Sequence, residues 1–238
     1  MDNYQSFAYY YDSLMDEDFY QKYVDFLSPI IKDKKILELG CGTGSLAIKL
    51  SKYCESILAT DISKEMIAIA KNKLELELKD NNITFKLMDM CHINLSSKFD
   101  CILCLCDSLN YVTTIDEVEK TFLSVYSHLN QDGYFIFDVH SLYKVNHTFY
   151  DYKEEFEDQE AYFYWHVKKI AEGSIEHFVI IEDKEDDSRM EEKHIQTTYD
   201  PSFYCKLLEK TGFQNIQIYG EFEELKPTSE RIILIARK

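Results

Sequence analysis

Three of the chain's seven glycines fall within five residues, Gly40-Cys41-Gly42-Thr43-Gly44, directly after the short apolar run Lys35–Leu39. A helical pattern begins behind them, with Leu46, Ala47 and Leu50 on one side. A strand ending in closely spaced glycines before a helix can turn sharply and let its backbone approach a nucleotide-like group. Glu38 stands inside the strand just before this loop. Asp61 closes the next apolar run, where a carboxylate can accept both hydroxyls of a ribose. Asp89 ends a third such region, in position to accept an adenine amino group while Met90 packs on the ring. Each acid alone also fits a solvated loop end; their joint spacing points to a ligand.

Two ligand chemistries compete for the loop. The dinucleotide fingerprint spaces its glycines as GxGxxG/A and seats a pyrophosphate at the helix N-terminus. Here the spacing is GxGxG, Ser45 holds the last fingerprint position, and Glu38 would repel a pyrophosphate. S-adenosyl-L-methionine carries a sulfonium and an ammonium and no phosphate, and suits the loop better. A nicotinamide-dependent oxidoreductase remains as the alternative, along with another S-adenosyl-using transferase and a non-catalytic cofactor-binding protein.

His140 and His194 are the candidate catalytic residues. His140 follows the end of the strand Tyr134-Phe-Ile-Phe137, where ligands collect on an open parallel sheet. It serves equally as a general base or as a structural hydrogen-bonder. Glu192, His194, Gln196 and Thr198 alternate along a strand pattern and so share one face, either lining a substrate cavity or forming an outer polar surface. Trp165 with Tyr162 and Tyr164 packs a ribbon or cages a cation. Cys101 and Cys104 have a CxxC spacing, but no second pair follows to complete a zinc site. Their setting in an apolar run makes them small core hydrophobes, and no histidine has metal-ligand spacing.

Strand and helix patterns alternate up to residue 137, which calls for a parallel sheet covered by helices on both faces. The pattern then changes. Residues 151–192 carry fifteen acids against five Lys or Arg, with strand patterns at 161–170, 175–182 and 190–199. This reads as an antiparallel ribbon inserted after the fifth sheet strand. A core domain of residues 1–142 and 198–238 with a lid of residues 143–197 follows. Helical pattern resumes at Pro201 and stops at Gly212, and the strand patterns at 214–222 and 231–236 are the last.

A formal net charge of −17 argues against nucleic acid and anionic membranes as partners and leaves a neutral or cationic small molecule. Met1-Asp2-Asn3-Tyr4 shows neither a basic region nor a long apolar stretch, so a cytoplasmic location is expected. A homodimer is left open.

The motifs ILELGCGTG (36–44), Asp61, Asp89-Met90 and Gly133-Tyr-Phe-Ile-Phe-Asp138 resemble those of class I S-adenosylmethionine-dependent methyltransferases. The resemblance runs from Tyr11-Asp12 to the last strand. Asp107-Ser-Leu-Asn-Tyr111 and Phe137-Asp-Val-His-Ser141 look like a bacterial small-molecule branch similar to the sugar-amine and glycine N-methyltransferases. The resemblance implies a Rossmann-like, seven-stranded, mostly parallel α/β sheet with an antiparallel last strand and an inserted β lid. It implies methionine-tail contacts at Gly40, Cys41 and Gly42, ribose contacts at Asp61, and adenine contacts at Ile62, Asp89 and Met90. Gly44 and Met66 are counted with these cofactor residues, and so is Glu38, placed to position the loop or face a cationic ligand. Cys106 would lie beside the sulfonium through its backbone, and Tyr11 would close over the cofactor. The Asn-Pro-Pro-aromatic motif of nucleic-acid amino-methyltransferases is absent, since Cys106-Asp-Ser-Leu109 holds its place. The identity of the small-molecule methyl acceptor does not carry over.

Overall fold

The structure is a computed structural model, and it describes residues 7–14, 17–77 and 82–238. The opening residues Met1–Tyr4 lie outside the described residues. In chain order the elements are α1 (Phe7–Tyr10), α2 (Glu17–Ile31), β1 (Lys35–Leu39), α3 (Ser45–Ser51), β2 (Ser56–Asp61), α4 (Lys64–Glu77), β3 (Ile83–Leu87) and β4 (Phe99–Cys104). Next come α5 (Ile115–His128), β5 (Leu129–His140), α6 (Leu142–Asn146), β6 (Asp151–Glu157), β7 (Ala161–Ala171), β8 (Ser174–Asp183) and β9 (Arg189–Thr197). The chain finishes with α7 (Pro201–Thr211), β10 (Gln214–Gly220), β11 (Glu223–Glu224) and β12 (Arg231–Arg237).

The main sheet has the order β11-β10-β12-β5-β4-β1-β2-β3. Strands β1 to β5 are parallel, and β12 runs antiparallel between β5 and β10. This is the Rossmann-like α/β sheet expected, with the two-residue β11 as an eighth strand. Successive side chains of a strand point to opposite faces, so β1 feeds two cores. Ile36 packs among residues of α2, α3 and α4, while Leu37 and Leu39 pack among residues of α5 and α7. Cys101 and Cys104 are wholly buried on opposite faces of β4, so both act as core hydrophobes.

Local chemistry fixes several boundaries. Thr114 caps α5: its Oγ1 accepts from Glu117 N at 3.3 Å and donates to Glu117 Oε2 at 2.7 Å. Asp200 caps α7, Pro201 occupies its first turn, and Gly212 ends it at φ 113°. Strand β5 starts at Leu129, earlier than the pattern opening at Gly133, with an irregular register against β4 before Tyr134.

The ribbon has four antiparallel strands in the order β6-β7-β8-β9, one more than the sequence pattern indicates. The additional strand, β6, reads Asp-Tyr-Lys-Glu-Glu-Phe-Glu and lies at an edge, where charged side chains face water and hide the alternation. Small apolar clusters stiffen the ribbon: Phe163, Val179 and Ile181 pack with Tyr10, and Val145, Phe149, Val167 and Ile175 form a second group. No described helix is long and apolar enough to cross a membrane.

Candidate active site

The glycine loop leaves β1 at the C-terminal edge of the sheet, where parallel strands collect ligands. Gly40 has φ +69°, and a Cβ there would lie 2.6 Å from Ser108 Cβ, so neither conformation nor space admits a side chain. At Gly42 the nearest neighbour to such a Cβ is Tyr11 Cε1 at 3.8 Å. The loop is tied down from both sides. Cys41 N–H donates to Thr60 O at 2.9 Å, and Ser108 Oγ donates to Gly40 O at 2.8 Å. Asp61 accepts from Gly42 N at 2.8 Å and from Ser63 N at 2.9 Å, so its carboxylate binds the two turns together.

The N-terminal segment docks on this loop through Asp12. Its Oδ1 accepts from Thr43 Oγ1 at 2.7 Å and Ser45 Oγ at 3.2 Å, and Lys73 pairs with the same carboxylate. That docking sets Tyr11 beside Gly42. Beneath the loop, Glu38 is 3 % exposed, and among the described residues its Oε2 has no hydrogen-bond partner. Burial, with the charge of Asp61 adding to it, pushes the Glu38 pKa up to about 8.

A cavity of about 710 Å³ opens from the loop, within the range of small-molecule sites. Of the residues singled out from sequence, Tyr11, Gly40, Gly42, Asp61, Ile62, Met66, Asp89, Met90, Cys106 and His194 line it. Glu38, Cys41, Gly44 and His140 do not. Gly44 instead allows Phe85 and Ala70 to close in behind the loop: a Cβ there would lie 2.6 Å from Phe85 Cζ. Asp89 lines the cavity while capping its own turn, accepting from Cys91 N at 2.8 Å and facing His92 Nδ1 at 3.0 Å. Burial opposes ionisation of Asp89, but these bonds outweigh it and lower its pKa. Ile62 remains 71 % exposed, an apolar wall open to a ligand.

Across the cavity stand Tyr111, Glu192 and His194, with the Tyr111 and His194 rings edge-to-face at 6.1 Å. On β9 the odd-numbered residues 191, 193 and 195 are exposed while Gln196 and Thr198 are buried, so the shared polar face turns inward. Among the described residues no Lys or Arg lines the cavity, whereas five carboxylates do. A pyrophosphate would meet only repulsion there; a sulfonium with an ammonium would not.

A methyltransferase-domain family model matches residues 36–133. A relative from Geobacillus sp. (strain WCH70), provisionally named a methyltransferase, is 37% identical and covers 99% of both chains. The chain is a class I S-adenosylmethionine-dependent methyltransferase. It is also similar to the crystal structure of an S-adenosylmethionine-dependent methyltransferase from Clostridium acetobutylicum ATCC 824, with TM-score 0.84, 28% identity and 97% of each chain covered. A sugar N-methyltransferase from Streptoalloteichus sp. ATCC 53650 shares the fold, with TM-score 0.75 at 16% identity over 97% and 92% of the two chains. The cofactor of the methyltransferase is S-adenosyl-L-methionine, and the nicotinamide alternative is set aside.

In this methyltransferase His140 lies behind the cavity wall rather than in it, 4 % exposed. Its Nδ1 stands 3.0 Å from Asp107 Oδ1, off the line of a hydrogen bond, and its Nε2 meets Gln196 Oε1 at 3.0 Å. Cys106 and Asp107 form a consecutive left-handed pair, at φ 54° and 61°, held by Arg231, which spans Asp107 and Asp138. Burial alone would raise Asp107, but the Arg231 guanidinium holds its carboxyl well below the usual range. Sequence reasoning missed Ser108 and Tyr111 as cavity residues, although both follow the C-terminal end of β4, where position alone could have flagged them.

Proposed function

We propose that the cavity seats S-adenosylmethionine along the Gly40–Gly42 loop, with its ribose at Asp61 and its adenine between Ile62, Asp89 and Met90, and that a small neutral or cationic acceptor enters beside Tyr111, Glu192 and His194. The observation that carries this reading is one continuous cavity joining the glycine loop to the inward face of β9. When bound, the cofactor supplies an electrophilic methyl group whose displacement needs alignment more than acid catalysis, and alignment is worth several kcal/mol, up to roughly 7–11 in model systems.

Tyr11 and Gly42 bound one wall, and Tyr111 and His194 bound the other, which excludes water along the transfer path. Burial lowers the His194 pKa, against the pull of Glu192, so at neutral pH its imidazole can take a proton from an acceptor that arrives protonated. Residues 143–197 serve as the acceptor-side lid of a domain built from residues 1–142 and 198–238. The sugar N-methyltransferase sharing the fold is in keeping with a small acceptor.

Calorimetry on the purified protein tests the cofactor half: S-adenosylmethionine and S-adenosylhomocysteine should bind and NAD should not. A screen with methyl-labelled donor over small amines, alcohols and carboxylic acids tests the acceptor half. Transfer confined to anionic acceptors would overturn it.

A further inference from the structure

Four side chains from four strands meet where the ribbon joins the main sheet. Trp165 on β7 donates its indole N–H to His177 Nδ1 on β8 at 3.1 Å, with the two rings stacked at 14°. His177 Nε2 and His140 Nε2 both reach one atom, Gln196 Oε1 on β9, at 2.9 and 3.0 Å. His140, His177 and Gln196 are all buried.

The direction of every bond follows from one fact: an indole N–H can only donate. His177 Nδ1 is therefore an acceptor, and the proton of the neutral ring sits on Nε2. That N–H needs an acceptor, which sets the Gln196 carboxamide with its oxygen toward the imidazoles. The same oxygen takes His140, so His140 also carries its proton on Nε2. Burial keeps both rings neutral. It pushes His177 down to about 4, among His140, His194 and Asp107, and it lowers His140, among Asp107, Lys144 and Arg231.

Gln196 lies on the β9 face that carries Glu192 and His194 into the cavity, four and two positions away. Asn110 reinforces the joint: its Oδ1 accepts from His140 N at 2.9 Å, and its Nδ2 donates to Thr197 O at 2.8 Å. We propose that Gln196 is a positioning residue, a double acceptor whose hold on His140 and His177 registers β9 against the main sheet and thereby sets where Glu192 and His194 stand. The inference rests on reading those two residues as the acceptor side of the cavity.

The test uses the full chain as wild type, Gln196→Leu and Gln196→Glu, with S-adenosylhomocysteine as the probe ligand. Leucine fills the space without an acceptor; glutamate keeps the acceptor oxygen. Hydrogen exchange of residues 189–197 should quicken by about tenfold or more in Gln196→Leu and stay near wild type in Gln196→Glu. Trp165 is the only tryptophan, so its emission reports the far end of the chain of bonds. Wild-type emission should hold steady as pH falls and be quenched only near the His177 value of about 4. In Gln196→Glu the carboxylate favours the imidazolium, and quenching should move to higher pH.

Unchanged exchange in Gln196→Leu, or equal loss of protection in both variants, would overturn the proposal. Wild-type quenching centred near the ordinary histidine value, about 6.5, would overturn it too, and needs no variant to fold. S-adenosylhomocysteine affinity should stay within about twofold across the three proteins; its loss in Gln196→Leu alone would place Gln196 on the cofactor side instead. Failure of the wild type to bind this probe would sink the cavity reading, while exchange and emission still decide Gln196.

Discussion

Asp61 Oδ2 accepts the Gly42 N–H at 2.8 Å, so the acid ending β2 holds the loop that ends β1. One carboxylate thereby serves the loop, the Ser63 turn and, in the proposed pose, the ribose. Asp61→Ala should weaken S-adenosylmethionine binding by about 1.5–3 kcal/mol, the range for hydrogen bonds to a charged group. Asp61→Asn should lose less, because its amide oxygen keeps one acceptor. Calorimetry with thermal melts checks both variants, and a normal affinity in Asp61→Ala would remove the ribose assignment.

Glu38 offers a test of proton linkage. Its pKa is raised by burial and then by Asp61, to about 8 from 4.5. The stability it contributes is therefore full below the unfolded value and is lost as pH rises through about 8. Glu38→Gln should flatten the decline in stability across that window in urea melts. If the cofactor's ammonium draws a charge onto the Oε2 atom, binding at pH 7 should release protons, and affinity should rise with pH. Calorimetry in two buffers of different ionisation heat would count them; zero release would leave Glu38 a loop support only.

The glycine-loop side of the cavity was legible because its lining residues are local in the chain. Glycines at 40, 42 and 44 and acids at the ends of successive apolar runs report position as well as type. Pro201 and Gly212 likewise marked the bounds of α7. The β9 side resisted because alternation gives a face but no depth. It grouped Glu192, His194 and Gln196 correctly, yet could not tell that two line the cavity while the third is buried with His140. Nor could spacing bring Trp165 and His177 together with His140, since their contacts arise from ribbon register. Strand β6 hid behind its charges, and the five-residue α6 was too short to show a helical period.

Arg231 neutralises two acids, the wholly buried Asp138 and the half-buried Asp107, from the antiparallel strand β12. Arg231→Met should cost about 3–5 kcal/mol, the penalty for leaving buried charge without its partner. The sign of its pH dependence is fixed. Asp107 in the wild type is held low by Arg231 despite its burial, so its contribution is present above the unfolded value and lost as pH falls through the folded one. Without the guanidinium, both carboxyls would titrate above their unfolded values. The deficit of the variant should therefore shrink as pH falls from about 7.5 to about 5. Urea melts at the two pH values decide the matter; an equal deficit at both would mean that Arg231 stabilises by packing on Phe19 and Tyr23 rather than by charge.

The ribbon poses the sharpest question about division of labour. Deleting residues 144–197 behind a short flexible linker removes its own apolar clusters together with Val145 and Phe149, and with Phe149 the ring that packs edge-to-face on His140. Polar ties to the main body are lost as well, among them Gln196 to His140, Thr197 O to Asn110, Asp183 to Tyr10, Thr148 to Glu230 and Gly173 O to Thr198 N. These polar partners would then face water instead of being buried unpaired, so each lost bond should cost only about 1 kcal/mol. The truncated chain should melt lower yet still bind S-adenosylhomocysteine, because the loop, Asp61 and Asp89 all lie outside the deleted segment. Methyl transfer to any acceptor found for the intact chain should disappear, since Glu192 and His194 go with the ribbon. His194→Ala should give the milder form, slower turnover or a higher acceptor KM at unchanged cofactor affinity. A truncated chain with full turnover would show that the ribbon is no acceptor lid. One that fails to fold would make the His140–Gln196 joint part of the core, leaving the His194 variant to decide the acceptor side.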